Sequence, residues 1–302
     1  MDERITTTQC VNTPPKRIAA VHDLSCFGRC ALTVIIPTLS AMGHQVVPIP
    51  TALLSTHTGG FDRESLYFLD LTEQMHSISE HLFRIGVTFD AIYTGFLGSE
   101  RQIEAVEDII DRFASDTCPV IVDPVMGDDG VLYSTYNDAM VEGIKRLCHS
   151  ADIITPNLTE ACLLTGTEYR DTSAMDETTL ADYADGICDS LVKLYGASVQ
   201  SIIITGIHKG TDKVVTLVCS GGGRQSYEHT RLKRGYPGTG DIFASVLLGD
   251  YLVHGEIYGA TKKACDFVAH TIGYTAAYST PVREGVALET RLPLIVPHTD
   301  EA

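Results

Sequence analysis

A glycine-rich turn running straight into an apolar helix constrains this chain more than any other stretch. It reads Gly235-Tyr236-Pro237-Gly238-Thr239-Gly240-Asp241-Ile242-Phe243-Ala244-Ser245-Val246. The helical pattern starts at Asp241. Ile242, Ser245, Val246 and Gly249 follow at helical spacing, and Phe243, Leu247 and Leu248 make the helix apolar almost all round, as in a buried helix. Its first N–H groups and its positive dipole end then point out of the turn. Gly238 and Gly240 carry no side chain, so an anion can come close to the backbone there. Asp241 sets a carboxylate beside that site, where it does not help to bind phosphate. Either it is a base for a hydroxyl that attacks a phosphate, or it caps the helix. The stretch alone leaves both readings open.

The remainder of the chain has to choose between them. Its 302 residues, 44% of them hydrophobic, can bury one large α/β domain. There is no internal repeat and no low-complexity linker. We therefore expect a flexible tail over 1–16, ending at Pro14-Pro15, and a single domain over 17–302. A net charge of −17 argues against nucleic acid or an anionic membrane as partner, but not against ATP, which brings its own magnesium. Nine cysteines are scattered without a CxxC pair, and most sit in apolar runs. They read as small core thiols in a reducing cytoplasm. The polar N-terminus and the lack of an 18-residue apolar run predict neither a signal peptide nor a membrane span.

Short apolar runs alternate with helical patterns. Strands are predicted at 17–21, 45–49, 91–93, 119–122, 152–154 and 201–204, with helices between them, and an antiparallel hairpin at 213–219 and 225–232 turns around Gly221-Gly222-Gly223. Such alternation implies βαβ units and an α/β fold with a mostly parallel sheet. Ligands bind such sheets at the carboxyl ends of the strands. The polar strand-exit loops, with Asp23, His57-Thr58, Gly95-Phe96, 123–128, 157–160 and Thr205-Gly206, should therefore share one edge with the glycine turn. The hairpin region at 219–236 is a candidate flap, with Arg234 a candidate phosphate contact.

The chain has no GxxxxGK[ST] loop and no GxGxxG, which excludes a P-loop enzyme and weakens a dinucleotide reading. Asp123, Asp128 and Glu160 could converge on magnesium, which prefers oxygen ligands. Alternatively Asp123 is a strand-end turn residue before Pro124, and Glu160 a first-turn carboxylate favoured by the helix dipole. His57 is either a ligand contact or a residue that only holds its own loop. Cys26 and Cys30 read as core thiols.

Gly238-Thr239-Gly240-Asp241, taken with Asp123-Pro124-Val125-Met126-Gly127 and Thr155-Pro156-Asn157-Leu158-Thr159-Glu160, resembles the ribokinase-like superfamily. Within it, residues 17–280 resemble the branch of pyridoxal and pyridoxamine kinases and hydroxymethylpyrimidine kinases. The resemblance implies a central mostly parallel sheet flanked by helices on both faces. It implies ATP with Mg2+ as phosphate donor, a monovalent cation as a further candidate, and a homodimer as the assembly. It makes Asp241 the catalytic base and Gly238, Thr239 and Gly240 the anion hole. It places Asp123, Asn157, Glu160, Thr205, Gly206 and Arg234 at the nucleotide, and Asp123, Asp128 and Glu160 near the metal. Asp23, His57, Thr58 and Phe96 fall on the acceptor side. Thr51-Ala52-Leu53-Leu54 is similar to the pyrimidine kinases, whereas His57-Thr58 favours the vitamin B6 kinases. The implied activity is phosphorylation of a B6 vitamer's hydroxymethyl group, with a hydroxymethylpyrimidine kinase as the alternative. A silent ligand-binding protein on this fold would have no use for Asp241.

Overall fold

Apolar runs rich in Val and Ile can be buried on both faces only inside a covered sheet, and here they line up in one. The structure is a computed structural model that describes residues 14–62, 64–231 and 235–297. In chain order it begins β1 (Arg17–Phe27), α1 (Leu32–Ala41), β2 (Gln45–Thr56), β3 (Phe68–Asp70), α2 (Thr72–Arg84), β4 (Ala91–Thr94), α3 (Glu100–Phe113) and β5 (Val120–Val122). It continues with β6 (Gly127–Asp128), β7 (Val131–Leu132), α4 (Asp138–Cys148), β8 (Ile153–Ile154), α5 (Leu158–Thr165), α6 (Glu177–Tyr195) and β9 (Ser201–Lys209). It closes with β10 (Lys213–Ser220), β11 (Gly223–Thr230), α7 (Thr239–His254), α8 (Ile257–Ala276) and two 3-10 turns, Val282–Glu284 and Leu292–Leu294.

The main sheet runs β11-β10-β9-β8-β5-β4-β1-β2-β3. From β9 to β2 every neighbouring pair is parallel, and β3, β10 and β11 are added antiparallel at the edges. Residues such as Ala19, Val21, Ile92, Val122 and Ile204 face the core built with α2 to α6. Their neighbours Ile18, Ala20, Ala91, Ile121 and Ile203 face the core of α1, α7 and α8. This alternation is the period-two geometry of a strand with both faces covered. The expected fold, helices on both faces of a mostly parallel sheet, is what the chain adopts. In α7 every residue from 242 to 250 is buried, so the helix after the glycine turn is an inner one.

Several boundaries differ from expectation. β1 continues through His22 and Asp23 to Phe27, and β2 through 50–56, because the two extensions keep pairing in parallel after a bulge between His22 and Leu24. Their polar residues looked like loop, but ladder hydrogen bonds satisfy the backbone. β9 likewise runs past Thr205 and Gly206, which form a bulge opposite Thr216. The turn of the β10–β11 hairpin lies beside Ser201, where β9 begins. That is the end of the sheet away from the strand exits, so this glycine turn is not a flap over them. Arg234 lies outside the described residues. Cys188 of α6 and Cys219 of β10 are joined by a disulfide, and of the two cysteines read as core thiols Cys30 is buried but Cys26 is exposed. Among the described residues no helix is long and apolar enough to cross a membrane.

Candidate active site

α7 starts at Thr239, two residues before the expected Asp241. The first helical bond runs from Ile242 N–H to Gly238 O at 3.0 Å, so the amides of Thr239, Gly240 and Asp241 are those that helix geometry leaves without an intrahelical acceptor. Gly238 precedes them at φ 78°, and a Cβ there would stand 2.0 Å from Arg29 O. Only glycine fits that approach. The glycine turn therefore leans on the segment that links β1 to α1. The same segment holds the candidate base, since Ala31 N–H donates to Asp241 Oδ2 at 2.8 Å. Ala31 adopts φ 47° with ψ −136°, a positive-φ conformation uncommon for alanine. Burial, reinforced by the Asp23 carboxylate, lifts Asp241 to about 7, against the pull of the Ala31 amide. A carboxyl poised near neutral pH is suited to accept a proton.

Asp123 leaves β5 directly and is buried. A Cβ on Gly240 would meet Asp123 Oδ2 at 3.9 Å, so this carboxylate stands beside the glycine turn. Burial and then the charge of Asp241 push Asp123 up to about 8. Glu160 in the first turn of α5 is also lifted, by burial and then by Asp123. Both its oxygens are engaged, Oε1 by Met126 N–H at 3.1 Å and Oε2 by Asn157 N–H at 2.8 Å. Asn157 returns a bond from its own side chain to Glu160 N–H, closing a capping box, and its Nδ2 donates to Gly127 O at 2.8 Å. This pair thus ties the 126–128 strip to α5. Asp128 is exposed at the rim. Among the described residues no three His, Cys, Asp or Glu side chains form a ready-made metal cluster. Crowded carboxylates that raise one another's pKa still suit a hard oxygen-seeking cation that keeps several waters. Thr205 and Gly206 lie near by, with Thr205 bridged to Asn157.

On the other side, Asp23 is buried, accepts a bond from Ser25 Oγ at 2.8 Å and is lifted to about 6 by burial. Its charge and that of Asp241 reach the same buried thiol, Cys30. Phe96 is half-buried and packs 6.0 Å from Tyr136. Thr58 is half-buried in the loop after β2. His57 Nδ1 accepts Gly59 N–H at 3.2 Å and its Nε2 bonds Arg283 O at 2.7 Å, so its nitrogens tie the loop after β2 to the turn Val282–Glu284. Beneath the carboxylates lie two rings that carried no sequence signal. Tyr93 is fully buried, and burial, Asp123 and Asp241 hold its phenol well above the usual range. His22 packs 4.3 Å from it and is held neutral, down to about 3, by burial. Ala31 could not have been picked out either, because it acts through its backbone amide.

The profile of the phosphomethylpyrimidine kinase family matches residues 36–283. A Bacteroides thetaiotaomicron protein assigned as a phosphomethylpyrimidine kinase, in a crystal form with pyridoxal, is 39% identical; the match covers 95% of this chain and 98% of that one at a TM-score of 0.81. A Schizosaccharomyces pombe protein assigned as a pyridoxal kinase is 30% identical over 68% of this chain, a match that spans 59% of the yeast protein's length. The hydroxymethylpyrimidine/phosphomethylpyrimidine kinase of Bacillus subtilis is 29% identical over 85% of this chain and 83% of its own.

Proposed function

Since this chain belongs to the phosphomethylpyrimidine kinase family, we propose that it transfers the γ-phosphoryl group of ATP to the hydroxymethyl group of a vitamin B6 vitamer, giving the 5'-phosphate. The observation that carries the proposal is Asp241. It is a carboxyl lifted to about 7, fixed by Ala31 N–H, at the head of a buried helix whose first amides are unengaged by the helix. A carboxylate that only capped α7 from its third position would accept the Gly238 N–H; Asp241 Oδ2 instead accepts from Ala31, in another segment.

In the proposed reaction Asp241 takes the hydroxymethyl proton as that oxygen attacks the γ-phosphorus. The amides of Thr239, Gly240 and Asp241, with the dipole of α7, stabilise charge on the phosphoryl oxygens. Asp123 and Asp128 would hold Mg2+, which when bound neutralises phosphate charge. Asn157 and Glu160 would fix the 126–128 strip from behind. Asp23, close enough to Asp241 to raise its pKa, would line the acceptor side.

A hydroxymethylpyrimidine acceptor is the second reading, supported by the family description and the Bacillus relative. One measurement separates them: ATP consumption with pyridoxal, pyridoxamine, pyridoxine and hydroxymethylpyrimidine in turn. The proposal expects kcat/KM for a B6 vitamer to exceed that for the pyrimidine by about 10²–10³, the effect of two unpaired buried polar groups. A preference for the pyrimidine overturns it.

A further inference from the structure

Gly28, His57, Phe61 and Arg283 meet where β1 and β2 end, on the Asp23 side of the cleft. Gly59 N–H donates to His57 Nδ1, so the ring proton sits on Nε2 and is donated to Arg283 O at 2.7 Å. The imidazole occupies the space a side chain at 28 would need, for a Cβ there would lie 2.6 Å from His57 Cδ2. The Phe61 ring stands edge-on to His57 at 4.9 Å and to Phe27 at 5.8 Å. The Arg283 guanidinium covers that ring at 5.1 Å, the geometry of a cation–π contact.

The same 3-10 turn grips the catalytic end of the cleft. Glu284 O accepts from Arg29 N–H at 3.1 Å and from Arg29 Nη1 at 3.3 Å, and Arg29 Nε pairs with Glu289 at 2.6 Å. Two residues further on, Ala31 N–H holds Asp241, and the carbonyl of Arg29 is what keeps position 238 a glycine. The turn Val282–Glu284 therefore touches both the loop after β2 and the backbone that positions the candidate base. Gly59 and Gly60 are exposed and give that loop little order of their own.

We propose that Arg283 is a positioning residue: through Phe61 and His57 it sets the 57–61 loop at a fixed place relative to Asp241, and so orients the acceptor hydroxyl. The loop's role as acceptor wall rests on the kinase reading above. The holding of the loop by Arg283 does not. A loop that orients only the acceptor changes acceptor KM and leaves ATP KM alone.

The test compares wild type with Arg283→Ala, Arg283→Lys, Phe61→Leu and the double variant Arg283→Ala/Phe61→Leu. Arg283→Ala should raise acceptor KM about three- to tenfold, with ATP KM unchanged, the effect of losing one cation–π contact and the order it imposes. Arg283→Lys should recover most of this, because an ammonium also sits over a ring. The double variant should be no worse than the poorer single one. In ligand-free protein, hydrogen exchange of the 57–61 amides should quicken in Arg283→Ala and not in Arg283→Lys. Unchanged exchange, or a change in ATP KM as large as that in acceptor KM, overturns the proposal. A wild type that phosphorylates none of the rings sinks the proposed function instead, and exchange then decides alone whether Arg283 holds the loop.

Discussion

Two opposing influences meet on the Asp241 carboxyl: burial with the Asp23 charge raises its pKa, while the Ala31 amide lowers it. The result, about 7, makes the charged form available at neutral pH while leaving it basic enough to take a proton. Asp241→Asn keeps the shape and removes the proposed base. It should leave ATP binding nearly intact and cut kcat by roughly 10²–10⁴-fold. Retention of half the wild-type kcat would reduce Asp241 to a structural role. Since the proposed base acts only when ionised, kcat/KM should rise with pH through about 7 and then level off. A profile flat from about pH 6 to 8 contradicts this assignment.

At the scale of elements, α5 does two things with its first turn. Its capping box starts the helix, and Asn157 Nδ2 reaches across to the Gly127 carbonyl. Asn157→Ala removes both and should cost about 1–2 kcal/mol of stability, the usual weight of a lost N-cap. Asn157→Asp keeps the capping oxygen but not the donor to Gly127. It should therefore keep most of the stability and still raise ATP KM, because the 126–128 strip loses its tie. Thermal melts and KM for ATP on both variants check this; an ATP KM equal to wild type in Asn157→Asp would show that the tie does not serve the nucleotide. Glu160 belongs to the same unit, since both its oxygens hold backbone amides.

At the scale of the molecule, the cleft collects carboxyls whose folded-state pKa values lie above their ordinary ones: Asp23 at about 6, Asp241 at about 7 and Asp123 at about 8. An acid raised on folding binds more protons folded than unfolded, so its stabilising effect is complete below its ordinary pKa and is lost as pH climbs through the raised one. His22, held down to about 3, and His44 and His208, also lowered by burial, have the opposite sign, and the last part of their contribution is still gained as pH rises from 6.5. Between pH 6.5 and 8 the raised acids outweigh it. Ligand-free protein should lose about 1–2 kcal/mol across that window. Mg2+ with ADP should restore part of it, because a hard cation offsets the crowded charge. Denaturant melts at pH 6.5 and 8, with and without Mg2+ and ADP, measure both effects; stability that rises with pH in the ligand-free protein contradicts the charge crowding.

The sequence by itself determined the periodic parts of this protein. The alternation of apolar runs and helical patterns was enough for the layered α/β fold, because burial on both faces of a strand and on one face of a helix leaves a mark on every second or third residue. α3 was legible to its ends, Glu100–Phe113, for that reason. The glycine turn and Asp241 were legible because helix geometry makes a local sequence into a local site. The tertiary structure alone decided where chemistry depends on pairing between distant segments. It turned His22 and Asp23 from loop into strand, since β1 borrows its ladder partners from β2. It put the turn of the glycine hairpin at the far end of the sheet, because strand direction is not written in a hairpin's own residues. It gave the nitrogens of His57 to Arg283 O and Gly59 N–H, and Asp241 Oδ2 to Ala31 N–H, bonds whose backbone partners leave no trace in side-chain identity.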